Sequence, residues 1–385
     1  MFVEEYPLEE LLRAYYDEML RCTRCGFCQA ACPTYDVLRR ESATARGKVQ
    51  LLLGILQHKL PMSEAVSRYI YSCMDCRSCL QNCPGGVRAY EIFSIARRAL
   101  AETEYFPDEL AELGRRVETQ HNISGEDNEN RLLWQGNLEY KPDGLVGKAQ
   151  AEVLFYIGCV SSLYPRAYTI PQSFIEILEA AGVNYTTLGG AEWCCGYPLL
   201  TAGLDISSLI EHNINEIKRL GVKKLVATCP SCYHTWHEYY PVGEFEVMHA
   251  TQYLAELLES GRVPLREVKQ RVTYHDPCDL GRKSQEFDAP RRILTAIPGL
   301  EFVEMTNNRA NAICCGGGGN QESLNPEVSA EVGSHRLAEA QRTGAQLLVS
   351  ACQQCERTLS AAVRRNHVRM KVIDIVEVVR QALES

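Results

Sequence analysis

Apolar residues in the first hundred positions recur at helical spacing. Leu8, Leu11, Leu12, Tyr15, Met19 and Leu20 lie on one face, and Pro7 suits a first turn, so 8–20 reads as an amphipathic helix. Further helices are expected in 48–56 and 63–70, both between Cys32 and Cys73. Beyond residue 150 the period changes, and short β-rich apolar runs alternate with helical stretches, as in an α/β domain. Four of these runs lead directly into Cys159, Cys229, Cys278 and Cys352. In an open parallel sheet, ligands bind in the crevice beyond the carboxyl ends of the strands. These cysteines therefore point to one ligand site at each of two sheets.

The chain has 385 residues, of which 45% are hydrophobic and 23% charged, a globular balance with room for two or three domains. Such a chain can bury ordinary cores and does not need cysteine staples, yet it carries 18 cysteines. A secreted disulfide scaffold would be shorter and would follow a signal peptide. Met1-Phe-Val-Glu-Glu has no positive start, and the apolar run Val49–Leu56 is too short to span a bilayer. A cytoplasmic protein is expected, peripheral to a membrane only through a partner. The net charge of −9 disfavours a nucleic-acid partner.

The cysteines sort without remainder into sets of eight, five and five. The first eight form two runs of one spacing, C-x2-C-x2-C-x3-C-P: Cys22, Cys25, Cys28, Cys32 with Pro33, and Cys73, Cys76, Cys79, Cys83 with Pro84. The other ten form a longer repeat. Cys159, Cys194-Cys195-Gly196, Cys229 and Cys232 are followed by Cys278, Cys314-Cys315-Gly316, Cys352 and Cys355, which implies two tandem homologous domains. Residues 107–150 are polar and lack cysteine, so they read as a connecting segment, partly pinned to a domain surface by Leu132, Leu133 and Trp134. A shorter boundary is expected near Gly261 to Glu267.

Three cysteines at i, i+3 and i+6 can wrap one face of a [4Fe-4S] cube, and in two-cluster ferredoxins the fourth cysteine of each run ligates the other cluster. The pairing here would be Cys22, Cys25, Cys28 with Cys83, and Cys73, Cys76, Cys79 with Cys32. Zinc is the rival for any Cys-x2-Cys pair, but it does not suit two runs of four with a trailing proline. Five thiolates exceed what one zinc or one cubane can use, so the later sets suggest a polynuclear site of unusual shape, against zinc in one of the copies.

The segments Cys22-Thr-Arg-Cys-Gly-Phe-Cys-Gln-Ala-Ala-Cys-Pro-Thr-Tyr35, Ala45-Arg-Gly-Lys48 and Cys73 to Val87 resemble the ferredoxin half of the glycolate oxidase iron–sulfur subunit. His275-Asp-Pro-Cys-Asp-Leu-Gly281 and Cys314-Cys-Gly-Gly-Gly-Gly319 are closer to the catalytic subunit of heterodisulfide reductase. The whole chain thus resembles the fused iron–sulfur subunits of the heterodisulfide reductase and glycolate oxidase superfamily. The resemblance implies a multidomain α+β protein. Its N-terminal α-helical two-cluster ferredoxin-like domain (1–106) is followed by a linker (107–150) and two tandem α/β cysteine-rich (CCG) domains (151–265 and 266–385). It implies two cubane [4Fe-4S] clusters and, since all ten later cysteines are kept, two non-cubane [4Fe-4S] clusters in the CCG domains. No flavin or nucleotide is expected on this chain, because Gln321 breaks the only approach to G-x-G-x-x-G at Gly316–Gly319. That run reads instead as backbone passing close to a cluster.

Two functions follow from the resemblance. In the first, the chain is the iron–sulfur electron-transfer subunit of a complex oxidising a 2-hydroxy acid such as glycolate or D-lactate, with an FAD-containing dehydrogenase subunit as partner and a further electron-transfer or membrane-associated acceptor. In the second, a CCG cluster reductively splits a disulfide. Among other residues, His275 and Asp276 could tune a cluster or relay protons, or serve only as structural hydrogen-bonding groups. Arg46 and Lys48 could donate to sulfurs, and His234 and His237 read as surface or core histidines. Metal analysis of the native protein is expected to give about 16 irons with matching sulfide, whereas a count near eight with bound zinc would refute the four-cluster reading.

Overall fold

The change of hydrophobic period near residue 150 is a change of architecture in the computed structural model, which describes residues 7–138, 140 and 142–384. Met1 to Glu5, the stretch that bears on targeting, lie outside the described residues. The chain divides into two units. One comprises the residues up to Gly114 with Pro198–Asp205 and Ala310–Arg336; the other comprises Arg115–Tyr197, Ile206–Arg309 and the residues from Leu337.

The first unit is helical. The stretch read as one helix over 8–20 forms two, Pro7–Arg13 and Tyr16–Leu20. The first closes with a tight Tyr15 N–H to Leu12 carbonyl bond of 2.9 Å. The second then turns Glu18 inward, where its carboxylate accepts from Arg88 N–H at 2.8 Å and from Arg21 at 3.1 Å. The backbone bond from Arg88, with help from Arg21, holds the Glu18 carboxyl below its usual range despite burial. The expected helices form as Ala45–Leu56, capped by the Thr44 hydroxyl on Gly47 N–H, and Glu64–Tyr71, capped by Ser63 on Val66 N–H. With Ala89–Leu100 they bury Leu52, Ile70, Ile92, Phe93 and Leu100 in one core.

The second unit holds two parallel four-stranded sheets. The first orders its strands β2-β1-β3-β4: β1 (Val153–Tyr156), β2 (Tyr185–Thr186), β3 (Lys224–Ala227) and β4 (Glu246–His249). The second orders them β6-β5-β7-β8: β5 (Gln270–His275), β6 (Leu300–Phe302), β7 (Leu347–Ser350) and β8 (Lys371–Asp374). The repeat seen in the cysteines extends to strand register, with Val153 opposite Lys224 in one sheet and Val272 opposite Leu347 in the other. In each sheet the connections run to opposite sides of the first strand, so the crevice lies beyond the ends of β1 and β3, or of β5 and β7. The four strands predicted to lead into cysteines are these four.

Leu154, Phe155, Val226, Leu254, Val349 and Val379 belong to one apolar core shared by both sheets. The segment read as connecting, 107–150, contains the helix Asp108–Gln120 and a run of 3-10 turns at Asn128–Asn137, with Trp134 fully buried in that core. Among the described residues no helix is long and apolar enough to cross a membrane. Phe174 is fully buried and meets Phe155 edge-on at 4.8 Å. Phe174→Ala is expected to lower stability by about 3–5 kcal/mol, read as a lower guanidinium midpoint in a fluorescence-followed unfolding curve.

Candidate metal centres

No disulfide links any of the 18 cysteines. In the first unit the two Cys-x2-Cys-x2-Cys loops share one backbone shape. Arg24 and Gly26 have φ of 59° and 91°, and the positions matching them in the second run, Asp75 and Arg77, have φ of 50° and 56°. Left-handed residues on both sides of the middle cysteine curl the loop around a cavity that its three cysteines line. For Arg24, Asp75 and Arg77 that conformation is strained, and strain of this kind gathers at functional sites.

Each loop bounds a cavity. One, of about 450 Å³, is lined by Cys22, Cys25 and Cys28 of the first run and by Cys79 and Cys83 of the second. The other, of about 380 Å³, is lined by Cys73, Cys76 and Cys79 with Cys32. The structure therefore brings the fourth cysteine of each run to the other run's loop, and Cys79 lies on the wall of both cavities. Pro33, after Cys32, begins the helix Pro33–Leu38, where its missing N–H leaves no donor unsatisfied.

Burial dominates the electrostatics. It pushes the Cys73 and Cys79 thiols up, and raises Cys32 to about 11 against the pull of Lys48. Lys48 is 1% exposed. Burial lowers its pKa while Cys73 and Cys32 raise it, and its ammonium donates to the Ala43 carbonyl. Arg46 approaches sulfur through its backbone, whose N–H donates to Cys28. Its guanidinium is held by Glu41, Gln29 and the Arg24 carbonyl at 3.0 Å. Backbone N–H groups of Asp75 and Val87 donate to Cys73 and Cys83 sulfurs at 3.4 Å.

Two later segments return to this unit, and one of them carries cysteines. Arg97, buried, donates to the Cys73 carbonyl at 2.7 Å and to the Thr201 carbonyl at 2.9 Å, which ties Pro198–Asp205 to the second cysteine run. On the other segment Cys314 and Cys315 are buried, and their sulfurs accept from Gly316 and Gly317 N–H at 3.4 Å. The glycine run does pass beside a cysteine loop. A Cβ on Gly318 would lie 2.4 Å from the Met74 carbonyl oxygen, and one on Gly319 2.3 Å from that of Cys73.

In the second unit all five thiols of the first later set converge. Contacts run from Cys159 to Cys194, on to Cys195, then Cys232 and Cys229. Cys229 caps the helix Pro230–Tyr239, whose positive end favours a thiolate. Contact with Cys194 and then burial raise the Cys159 thiol, whereas hydrogen bonds from Cys194 and Cys232 draw Cys195 down to about 6. Gly158 has φ of 80°, and a Cβ there would lie 3.2 Å from the Cys232 sulfur. A contiguous patch of five thiols, four buried and that of Cys229 half-buried, suits a polynuclear iron–sulfur group and exceeds the four positions of zinc.

Three polar residues at this set went unread in the sequence. Arg131 and Glu192 form an ion pair of 2.8 Å, each about 1% exposed. The Glu192 carboxylate also accepts from Ile157 and Gly158 N–H at 2.9 and 2.8 Å, while Arg131 donates to the Ser162 hydroxyl at 3.0 Å and the Cys159 sulfur at 3.2 Å. The position of Glu192, two before Cys194, was the available signal; Arg131 stands 28 residues from Cys159 and carried none.

Of the second later set, Cys278, Cys352 and Cys355 lie in this unit. Cys352 caps the helix Gln353–Arg365, its sulfur accepting Cys355 N–H at 3.3 Å. A ring nitrogen of His275 is within 4.8 Å of the Cys355 sulfur. Asp276 acts structurally, pairing with Arg291 at 2.7 and 2.9 Å and accepting Arg309 N–H at 2.8 Å. Beside Cys278, Asp279 pairs with Lys283 at 3.0 Å and accepts from Tyr197 at 2.9 Å and from Ser231. It opens a π-helical turn, Asp279–Lys283, and joins residues flanking both later sets. His234 is buried with its Nδ1 3.3 Å from the Ser284 hydroxyl, and His237 is exposed beside Glu238.

Residues 18–87 match the 4Fe-4S dicluster domain, and 153–236 and 272–360 each match the CCG cysteine-rich domain. The chain is 30% identical to a subunit of the dihydromethanophenazine:CoB–CoM heterodisulfide reductase of Methanosarcina barkeri, over 95% of this chain and 94% of that one. It is 31% identical to the probable iron-sulfur-binding oxidoreductase FadF of Bacillus subtilis over 82% of this chain and 46% of that one. It is 26% identical to the EtfAB:quinone oxidoreductase of Syntrophomonas wolfei over 99% and 60%. The fold is similar to a hypothetical protein from Helicobacter pylori, with a TM-score of 0.59 at 10% identity over 100% of this chain and 79% of that one. These matches make the protein an iron–sulfur electron-transfer chain with [4Fe-4S] clusters. Gly158→Ala is expected to lower the iron content while leaving the N-terminal clusters' electron paramagnetic resonance (EPR) signals intact.

Proposed function

The chain belongs to the family of iron–sulfur proteins that join a 4Fe-4S dicluster domain to CCG domains and that includes a subunit of heterodisulfide reductase, and from that premise we propose that it is the disulfide-reducing subunit of an oxidoreductase complex. One observation carries the proposal: the five thiols from Cys159 to Cys232 form a single contiguous patch, four of them buried and Cys229 half-buried. End-to-end coverage by the Methanosarcina barkeri relative supports it. In this reading Cys22, Cys25, Cys28 and Cys83 hold one cubane, and Cys73, Cys76, Cys79 and Cys32 the other. Cys159, Cys194, Cys195, Cys229 and Cys232 would hold one non-cubane cluster and the repeated set, Cys278 to Cys355, a second, and such clusters would supply electrons to a disulfide.

Electrons enter from a partner subunit at Cys25, the one cysteine of the 18 that is exposed. The two cubane cavities share Cys79, and the Cys314–Cys315 loop packs on the Cys73–Met74 backbone, so successive sites in the first unit lie against one another. At the terminal site two electrons and two protons convert one disulfide to two thiols, breaking the S–S bond. Backbone N–H donors and the helix ends at Cys229 and Cys352 stabilise negative charge on sulfur throughout.

A second reading, an electron-transfer subunit for an FAD-containing 2-hydroxy-acid dehydrogenase, is favoured by the motif of the ferredoxin half, Cys22 to Val87. The EtfAB:quinone oxidoreductase relative likewise points to a flavoprotein donor. The two readings separate on the purified full chain supplied with reduced viologen. Disulfide-dependent oxidation of the dye is expected. Its absence, together with dye reduction by glycolate or D-lactate in a complex isolated with a flavoprotein, would establish the second reading instead.

A further inference from the structure

We infer that Arg131 tunes the cluster held by Cys159, raising its reduction potential through a direct hydrogen bond to the ligand sulfur. This rests on the reading that Cys159 is a cluster ligand. Arg131 is 1% exposed, and its Nη2 points at the Cys159 sulfur from 3.2 Å. A hydrogen bond to a ligand sulfur stabilises the more negative, reduced state of a cluster and so raises its potential. The bond is charge-assisted and sealed from water, which strengthens it.

The surroundings aim this one group at the sulfur. Nε is held by the Asn128 side-chain oxygen at 3.0 Å, and Nη1 is shared between Ser162 at 3.0 Å and Glu192 at 2.8 Å, leaving Nη2 directed at Cys159. Glu192 cancels the Arg131 charge at long range, yet its oxygens are turned to the Ile157 and Gly158 N–H groups. What the cluster meets at close quarters is therefore the donor. A planar fork is needed for this geometry, and a lysine cannot reproduce it.

Two of the residues that hold Arg131 are not repeated in the second copy. Ser162 stands three residues after Cys159 and Glu192 two before Cys194, and the matching positions of the second copy are Gly281 and Ala312. Cys278, the counterpart of Cys159, has a carboxylate oxygen of Asp279 3.6 Å from its sulfur. Duplication thus left Cys159 and Cys278 with different close neighbours.

The test is EPR-monitored redox titration of the full chain, alongside iron analysis. Arg131→Gln/Glu192→Gln removes both charges together and so avoids stranding one in the core, while Arg131→Lys keeps the charge and loses the fork. In both variants one cluster's potential is expected to fall so that its reduced-to-oxidised ratio at fixed potential drops at least tenfold, about 59 mV for a one-electron couple. The N-terminal clusters should titrate unchanged. Unaltered potentials at full iron content would overturn the inference. So would loss of that cluster from the double variant with secondary structure intact, which would make Arg131 a structural clamp only. If the unmodified protein holds only the N-terminal clusters, the fault lies in the underlying reading.

Discussion

Eighteen cysteines, most of them buried or half-buried, must carry negative charge on sulfur when they hold metal, and an interior resists that charge. Much of the local structure around them answers this constraint. Left-handed residues curl the two N-terminal loops around the cavities that their cysteines line, and N–H groups of Asp75, Val87, Gly196 and Gly316 reach sulfur at 3.4 Å. Cys229 and Cys352 sit at the positive ends of helices of ten and thirteen residues. Full charges are used sparingly, as Lys48 beside Cys32 and Cys73 and Arg131 beside Cys159, each close to fully buried.

The parallel sheet supplies the other half of the solution. In both copies the first and third strands end where the chain connections diverge, and each delivers a cysteine to that crevice. A crevice of this kind needs no side chain to open it, because the helices on either side already separate there. Duplication of one such unit gave two crevices on one shared core, each receiving cysteines from its first and third strands. The residues beside those cysteines differ: Glu192 and Ser162 in one copy, Asp279 and Lys283 in the other.

The cysteines and the strands leading to them were legible because their signals are local: fixed spacings of three and four, and short continuous apolar runs. The helix break at Tyr15 was not, since Leu8 to Leu20 keep helical spacing throughout and the break follows from Glu18 turning to Arg88, 70 positions away. The polar stretch 107–150 was read as connection because its composition is that of a loop. Arg131 within it acquires its role only from Cys159, Ser162 and Glu192, which tertiary packing brings to it. Arg46, read as a donor to sulfur, donates to Cys28 through its backbone, a route that composition cannot specify.

Sequence by itself determined the inventory: two four-cysteine runs, two five-cysteine sets, a helical beginning and a duplicated α/β remainder. Ligand spacing and strand periodicity are properties of short windows, so one dimension holds them. Only the tertiary structure decided the neighbourhoods that spacing does not carry, closing Gly318 and Gly319 on the Cys73–Met74 backbone and aiming a guanidinium at Cys159. Those are contacts between residues far apart in the chain, and packing of the folded core is what selects them.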